Sequence, residues 1–397
     1  ADDYYKLYIN GRFVGQGPAP AYHFRYNVNR WDVSEYLCPG GNVIAVHVYY
    51  QGLINRVWNS GDFRQGMAAY MAVQAADGGA TTLETDETWL HTICPAYASQ
   101  RTVAYDTQFA QDMDSRLIPS GWRELEFDDS RWTHPTARPL GQTDYTFVIQ
   151  DTPPLETKIV QPASLRELGE DRVLLDFGRE VVGQFELRTT GQAGQVIQIR
   201  HAEELTREGK ALCPTRCGCD YLDEWTLAGY PRETFEPFDY KGFRYVEVAG
   251  VFPGKKNAWV VERHYPWPET ACKFQSSDPL LNRIWELCAN GVRLCAQEQF
   301  LDCPTREKGQ YLNDCAITGH AHMLLTGDGR LVRKSLRDFA LSERIRPGLQ
   351  AVAPGSLKAA IADASLTWPM QLWQYYMHTG DREFLARMAP VADRLVE

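Results

Sequence analysis

The spacing of apolar residues changes once along the chain, near residue 270, and this change limits the folds that the chain can adopt. Before that point, segments such as "YKLYINGRFVGQG" (5–17) alternate apolar and polar residues around a tight Asn-Gly turn, which predicts β-hairpins. After it, "SDPLLNRIWELCANGVRLCAQEQF" (277–300) repeats apolar residues at the spacing of an α-helix. We therefore predict a chain that begins with sheets and continues with helices.

Turn-forming segments divide the chain further. The Pro pair in "DTPPLE" (151–156) separates two runs of short alternating strands, and "HYPWPET" (264–270) precedes the helical part. Short strands at this spacing are typical of antiparallel sandwiches. We predict a multidomain β + α protein, with antiparallel β-sandwich domains over residues 1–150 and 151–268 and a helical domain over residues 269–397.

The helical part is short for a closed ring of helices. Its first helix should have Ser277 or Asp278 as N-cap and Pro279 at its first position. A closed toroid of six helical hairpins needs roughly 300 residues, whereas 127 (397 minus 270) follow residue 270. We therefore expect an incomplete helical domain in a chain that is cut at both ends. Further helices are predicted at about 315–327, 330–343, 359–378 and 381–396.

Composition argues against two classes of partner. The net charge of −10 lacks the basic surface that nucleic acid or an anionic membrane would require. The longest apolar runs, such as "NVIAVHVYY" (42–50), have the length of strands and are too short to cross a membrane. Aromatic residues make up 12% of the chain, which fits both stacking on sugar rings and the cores of large sandwiches.

The ten cysteines are scattered and lie mostly inside apolar patterns. In a chain of this size they are interpreted as reduced core thiols, which favours a cytoplasmic setting. The segment "CPTRCGCD" (213–220) brings three of them close together in sequence, but a structural zinc usually has four ligands and a fourth is not evident. We therefore predict no metal site.

The segment "DCPTREKGQYLND" (302–314) is the strongest candidate for a site. Asp302, Glu307 and Asp314 would repel one another if held close together, and such repulsion raises the pKa of at least one carboxyl group, as acid catalysis requires. Arg306 can clamp a carboxylate or a substrate hydroxyl, and Lys308 is interpreted as solvated. The alternative is structural, with both aspartates capping helices and Glu307 paired with Arg306 or Lys308.

The same segment, followed by "CAITGHA" (315–321), resembles the signature of glycoside hydrolase family 78, the bacterial α-L-rhamnosidases. The resemblance extends to residues 5–52 and to two blocks at 174–205 and 234–250, which are similar to the N-terminal sandwich and to the concanavalin-like domain of that family. The block "DPLLNRIWELC" (278–288) resembles the start of its catalytic (α/α)6 barrel. The resemblance implies two jelly-roll or concanavalin-like domains followed by the first part of that barrel.

The resemblance also implies roles. Glu307 would be the general acid, while Asp302 and Asp314 would hold rhamnose hydroxyls and favour the protonated acid, with Arg306 binding beside them. Tyr311 stands where many members of the family have Trp and would stack on the sugar; Asn313 stands where they have Gly. The family inverts configuration, and its general base is a Glu far downstream, which we expect beyond residue 397. The reaction needs no cofactor.

A later block, "ADASLTWPMQLWQYYMHTGD" (362–381), resembles a part of the family in which Asp and Trp line the sugar pocket. Asp363 and Trp368 are the matching positions, and the alternatives are a helix N-cap and a core aromatic residue. His320 and His322 are interpreted as packing or solvent residues. His201, Glu203 and Glu204 are interpreted as the end of a strand.

We therefore expect a fragment of an inverting α-L-rhamnosidase that removes terminal α-L-rhamnose from rhamnosides and, as a fragment, is inactive by itself. The expected partner is a rhamnose-containing glycoside or oligosaccharide, and a homodimer is an open possibility from the family. Two alternatives remain: a non-catalytic carbohydrate-binding protein, and a related glycosidase for a different sugar.

Overall fold

The computed structural model describes residues 1–58, 65–75, 78–97, 99–138, 144–169, 171–269 and 271–396. The chain forms two compact units. The second unit includes residues 53–58 and 96–116, although both segments lie inside the sequence range that we predicted as the first domain. The predicted three-domain division stays a prediction. The first unit contains Ala1–Gly52, Asn59–Pro95 and Leu117–Gln150, and the second contains Leu53–Trp58, Ala96–Arg116 and Asp151–Glu397.

Most of the described strands lie before residue 265, as predicted. In chain order they are β1 (Tyr4–Ile9), β2 (Arg12–Gly17), β3 (Arg25–Val28), β4 (Ile44–Tyr49), β5 (Tyr70–Gln74), β6 (Ala80–Glu84), β7 (Thr102–Val103), β8 (Gln108–Phe109), β9 (Met113–Asp114), β10 (Thr146–Ile149), β11 (Glu156–Val160), β12 (Ser164–Gly169), β13 (Arg172–Thr189), β14 (Val196–Ala202), β15 (Leu222–Thr226), β16 (Glu233–Phe235), β17 (Lys241–Ala249) and β18 (Ala258–His264).

The first unit holds small sheets. Strands β2, β1 and β4 form an antiparallel sheet in that order, and Asn10 and Gly11 turn between β1 and β2 with φ of 50° and 74°. This confirms the predicted hairpin, because Asn and Gly tolerate the left-handed region that the turn requires. Strands β5 and β6 pair antiparallel, whereas β10 pairs with β3 in parallel.

The sheet of the second unit is centred on β13, which spans 18 residues. The path β11-β18-β13-β17-β14-β15-β9 is antiparallel except for its last pair, and β12 and β16 also pair with β13. The register between β13 and β17 shifts between Asp176 and Val181. The core of this unit includes large side chains of the sheet that are at most 1% exposed: Val173, Leu175, Phe185, Trp225 and Phe243.

Five helices follow in the described residues: α1 (Pro279–Cys295), α2 (Leu312–Thr326), α3 (Arg330–Leu341), α4 (Ala362–Thr379) and α5 (Arg382–Val396). At the start of α1, the carboxylate of Asp278 accepts from the backbone N–H of Leu280 at 2.8 Å, and Pro279 is the first helical residue, as predicted. Such a cap stabilises a helix by about 1 kcal/mol. None of the described helices combines the length and the apolar character that crossing a membrane requires.

Candidate active site

The predicted segment 302–314 forms a loop that ends at the start of α2. Asp302 closes this loop: its backbone N–H donates to the carbonyl of Gly309 and its Oδ1 accepts from the N–H of Gly309, each at 2.9 Å. The thiol of Cys303 donates to Asp302 Oδ2 at 3.0 Å. Burial, and to a lesser extent the charge of Glu307, raise the pKa of Asp302. Asp302 therefore stabilises the loop conformation and also belongs to the group of carboxylates around Glu307.

Lys308 is not solvated, and the sequence interpretation of this residue is wrong. Its side chain is 2% exposed, and its Nζ donates to Tyr240 O at 2.6 Å and to Gln108 Oε1, and lies 3.2 Å from Asp239 Oδ1. The ammonium group also lies 3.8 Å from the centroid of the Tyr240 ring. Burial lowers the pKa of Lys308 to about 8. The side chain anchors the loop to the sheet-rich part of the same unit.

Glu307 lies at the centre of the site and its side chain is 16% exposed. Its Oε1 accepts from Arg306 Nε at 3.2 Å. Its Oε2 accepts from the hydroxyl of Tyr311 at 2.5 Å and lies 3.1 Å from Arg56 Nε. Both carboxylate oxygens are therefore held by donors, and the predicted pairing with Arg306 is present.

Arg56 contacts the candidate site, and the sequence did not reveal it. Its Nε donates to the hydroxyl of Tyr311 at 2.7 Å across 255 positions of sequence, and its guanidinium lies 5.1 Å from the centroid of the Tyr105 ring. A Cβ at Gly309 would lie 3.0 Å from Arg56 Cβ, so the loop passes close to this arginine because residue 309 is glycine. The only signal in the sequence is the glycine at 309, which indicates close packing but does not identify the neighbour.

Hydrogen bonds of Asn55 hold the segment around Arg56 in place. Asn55 Oδ1 accepts from the N–H groups of Val57 and Trp58, each at 3.0 Å, and the N–H of Asn55 donates to Ser356 Oγ at 3.0 Å. The second half of the loop is tied similarly, since the hydroxyl of Thr107 donates to the carbonyl of Arg306. These contacts fix Arg56 and the loop relative to each other.

Asp314 lies in the first turn of α2, whose N-cap is Tyr311, so Asp314 is not the helix cap of the structural alternative. Partial desolvation and the charge of Glu307 raise the pKa of Asp314, and Arg306 opposes this. The loop thus brings Asp302, Glu307 and Asp314 within electrostatic reach of one another. Asn313 is exposed and accepts from the hydroxyl of Thr367 at 3.3 Å.

Asp363 and Trp368 take different positions on α4. Trp368 is 0% exposed and its indole N–H donates to the carbonyl of Leu336 at 3.1 Å, which favours the alternative of a core aromatic residue. Asp363 is exposed in the first turn, and the N-cap of α4 is Ile361. Asp363 is therefore accessible to solvent and is not the cap.

Two further carboxylates interact electrostatically with each other, and one of them with Arg306. Burial, followed by the charge of Glu203, raises the pKa of Glu180 to about 8, and Glu180 Oε1 is buried with no hydrogen-bond partner in the structure. Burial also raises the pKa of Glu203, and Arg306 opposes that shift. Glu203 follows β14 directly, as the strand-end interpretation predicts.

His322 is a packing residue, and the cysteines form no disulfides. His322 is buried against the rings of Tyr265, Trp267 and Phe300, which confirms its packing role, and burial lowers its pKa to about 4. All ten cysteines are free thiols. Across the part of the chain that the structure describes, no cluster of three or more His, Cys, Asp or Glu side chains is arranged to hold a metal ion.

Comparison with known proteins covers nearly the whole chain. Residues 3–158 match the α-L-rhamnosidase N-terminal domain, residues 166–265 match the bacterial α-L-rhamnosidase concanavalin-like domain, and residues 269–396 match the bacterial α-L-rhamnosidase 6 hairpin glycosidase domain. An α-L-rhamnosidase of Streptomyces avermitilis is 29% identical over 97% of this chain and 38% of its own length. The chain thus spans about two fifths of that relative.

Solved structures agree with the domain matches. The crystal structure of Streptomyces avermitilis α-L-rhamnosidase complexed with L-rhamnose superposes with a TM-score of 0.78 and 26% identity, over 98% of this chain and 39% of that one. The α-L-rhamnosidase from Dictyoglumus thermophilum shares the fold with a TM-score of 0.83 and 22% identity, over 99% of this chain and 44% of that one. The chain therefore belongs to the bacterial α-L-rhamnosidases of glycoside hydrolase family 78.

Proposed function

We propose that the full-length protein carrying this chain hydrolyses terminal α-L-rhamnosyl units, with Glu307 as the general acid. The observation that carries this proposal is the half-buried Glu307, flanked by Asp302 and Asp314 and contacted by Arg306. Glu307 would protonate the glycosidic oxygen while water attacks the anomeric carbon, since departure of an unprotonated alkoxide is unfavourable.

The surrounding residues would bind the sugar. The Arg306 side chain is 43% exposed and its planar guanidinium can donate to two hydroxyls, which makes it available to a ligand. Asp314 and Asp363 are exposed and can accept from hydroxyls. In the described residues, Asp302 Oδ2 accepts from the thiol of Cys303, a weak donor, so it can also accept from a sugar hydroxyl. Tyr311 would contribute its ring face. We leave the buried Trp368 out of the proposed pocket.

We further propose inversion of configuration, which requires a second carboxylate about 6.5–9.5 Å from Glu307 to admit the attacking water. We assign this base to none of the 397 residues, and for that reason expect these residues alone not to catalyse the reaction. Helices α1 to α5 would belong to an (α/α)6 barrel, and the two sheet-rich parts to β-sandwiches. A cytoplasmic setting remains a proposal that rests on the ten free thiols.

A panel of 4-nitrophenyl glycosides tests this function in the full-length protein. We expect hydrolysis of the α-L-rhamnopyranoside and little hydrolysis of glycosides of other sugars, and we expect the Glu307→Gln variant to be slower. Glu383→Gln, in the first turn of α5, is the matched control and should retain wild-type rates.

The two alternatives give different outcomes in the same panel. Hydrolysis of another glycoside in preference would show a related glycosidase for a different sugar. Binding of L-rhamnose by calorimetry, without hydrolysis of any member of the panel, would show a carbohydrate-binding protein and would refute the proposed function.

A further inference from the structure

The two carboxylate oxygens of Glu307 lie in different surroundings. Oε2 is contacted by Tyr311 OH at 2.5 Å and by Arg56 Nε at 3.1 Å, whereas Oε1 is contacted by Arg306 Nε at 3.2 Å. Arg56 and Glu307 side chains are 20% and 16% exposed, while that of Arg306 is 43% exposed. The Oε2 side is therefore the more enclosed one, and Oε1 faces the more exposed arginine, Arg306.

The direction of the hydrogen bonds at Oε2 follows from the donors available. Arginine Nε carries one hydrogen and cannot accept, so it donates to Tyr311 Oη at 2.7 Å. The tyrosine oxygen is thereby an acceptor toward Arg56, and its own hydrogen points to Glu307 Oε2. Burial raises the pKa of Tyr311, so the hydroxyl keeps its hydrogen. Glu307 Oε2 therefore accepts from the Tyr311 hydroxyl and lies beside the positive charge of Arg56, and neither of these two groups accepts a proton from it.

We infer that Arg56 and Tyr311 are a positioning pair that confines the transferable proton of Glu307 to Oε1. This inference rests on the proposed function, because it concerns the proton of the general acid. In the reaction the Oε1–H bond breaks, a new O–H bond forms on the leaving oxygen, and the electron pair of the broken C–O bond stays on that oxygen. Water supplies the oxygen that replaces it at the sugar and gives one proton to the second carboxylate that the proposed inversion requires. The Glu307 carboxylate left behind is stabilised at Oε2 by Arg56 and Tyr311.

Arg306 must leave Oε1 for this transfer. It pairs with that oxygen in the structure, and its exposed side chain is free to turn toward a sugar. The charged groups that act on Glu307 are then two arginines, Arg56 and Arg306, and two acids, Asp302 and Asp314. The thiol of Cys303, whose pKa burial raises, lies in the same loop and donates to Asp302.

Tyr311 is suited to this role in a way that Trp is not. An indole N–H can donate but offers no lone pair to Arg56, so Tyr311→Trp would break the chain of hydrogen bonds. Tyr311→Phe removes the hydroxyl and keeps the ring. Arg56→Lys keeps a positive charge without the Nε–H at its present place.

The test measures the pH dependence of kcat/KM for phenyl α-L-rhamnopyranoside with the full-length protein and its variants. Arg56→Ala should lower the plateau by about 10- to 100-fold. Removing a cation disfavours the ionised acid, so the limb where the rate falls at high pH should move up by about one pH unit. Arg56→Lys should return the limb to its wild-type pH but should leave the plateau rate low. Tyr311→Phe and Tyr311→Trp should lower the plateau, and the double variant Arg56→Ala/Tyr311→Phe should lose less than the two single losses combined.

Two control variants separate positioning from general destabilisation. Arg116→Ala removes an arginine that pairs with Asp114, and Tyr230→Phe removes an exposed hydroxyl; both should leave rate and limb unchanged. A rate loss in Arg56→Ala with an unmoved limb and an additive double variant would overturn the inference.

If the wild-type protein cleaves no rhamnoside, the proposed function is refuted. The role of Arg56 and Tyr311 can then still be tested by chemical labelling. Carbodiimide reacts with protonated carboxyl groups, and peptide mass spectrometry reports the reaction at Glu307 as pH varies. A labelling midpoint that rises in Arg56→Ala and not in Arg116→Ala supports the pair, and an unchanged midpoint refutes it.

Discussion

At the scale of single residues, Lys308 shows how a charged side chain beside the proposed general acid can stabilise the fold. Its neighbours in sequence, Glu307 and Gly309, suggest a solvated loop, yet its ammonium group is enclosed by Asp239, Tyr240 and Gln108. Those partners are distant in sequence, so the local pattern could not reveal the burial. Arg56 was missed for the same reason.

Lys308 should make stability depend on pH in the alkaline range. Its pKa of about 8 in the folded protein lies below the value of about 10.4 expected in the unfolded chain. Between these values the unfolded state binds the extra proton, so the contribution of Lys308 to stability rises with pH. Below about pH 8 both states are protonated, and the contribution is constant.

We therefore expect the free energy of unfolding of the wild type, relative to Lys308→Met, to increase by up to about 3 kcal/mol from pH 8 to pH 10. Thermal unfolding midpoints of both proteins, measured at intervals across this range and at pH 7, check the prediction. A difference between the two proteins that does not change with pH would contradict it.

At the scale of elements, the loop before α2 is organised by Gly309. A Cβ there would lie 2.9 Å from Tyr311 Cε2 and 3.0 Å from both Arg56 Cβ and Val352 Cγ2. Each of these distances is too short for a carbon contact, so Gly309→Ala should displace Tyr311 and Arg56 from Glu307.

We expect Gly309→Ala to cost about 1–3 kcal/mol of stability and to lower the rate of rhamnoside hydrolysis by about 10-fold or more. Gly291→Ala is the matched control, because a Cβ at this position in α1 meets nothing within 4 Å and alanine favours helix by about 1 kcal/mol. Unfolding midpoints and rates of both variants provide the measurement. Equal behaviour of the two variants would show that the loop does not depend on a glycine at 309.

The helices were the elements best predicted from sequence. The start of α1 follows from Asp278 and Pro279, whose cap chemistry is local, and the later helices begin and end within a few residues of their predicted bounds. The sheet order was less accessible. The parallel pairing of β9 with β15 and the long strand β13 join segments far apart in sequence, and no local periodicity encodes such pairings.

At the scale of the whole molecule, helices α1 and α4 expose large apolar side chains. Leu287 is 73% exposed, and Trp373 and Met377 are 58% and 62% exposed. Extended apolar surface of this kind is uncommon on monomeric proteins and promotes association.

The 397-residue chain produced by itself should therefore bind the dye anilinonaphthalene sulfonate (ANS) and self-associate with rising concentration. The variant Leu287→Lys/Met377→Lys should reduce both effects without changing the circular dichroism of the helices. Fluorescence titration and light scattering measure these effects. A monomer that causes no increase in dye fluorescence would contradict the prediction.

The assignment of Glu307 as the general acid is implied by the resemblance and supported by the geometry. The most direct test compares phenyl and 4-nitrophenyl α-L-rhamnopyranoside as substrates of the full-length protein and its Glu307→Gln variant. Nitrophenolate leaves readily without a proton, whereas phenolate needs one. We predict a loss of about 10²- to 10⁴-fold on the phenyl substrate and a much smaller loss on the nitrophenyl substrate. Equal losses on both substrates, or none, would contradict the assignment of Glu307 as the general acid.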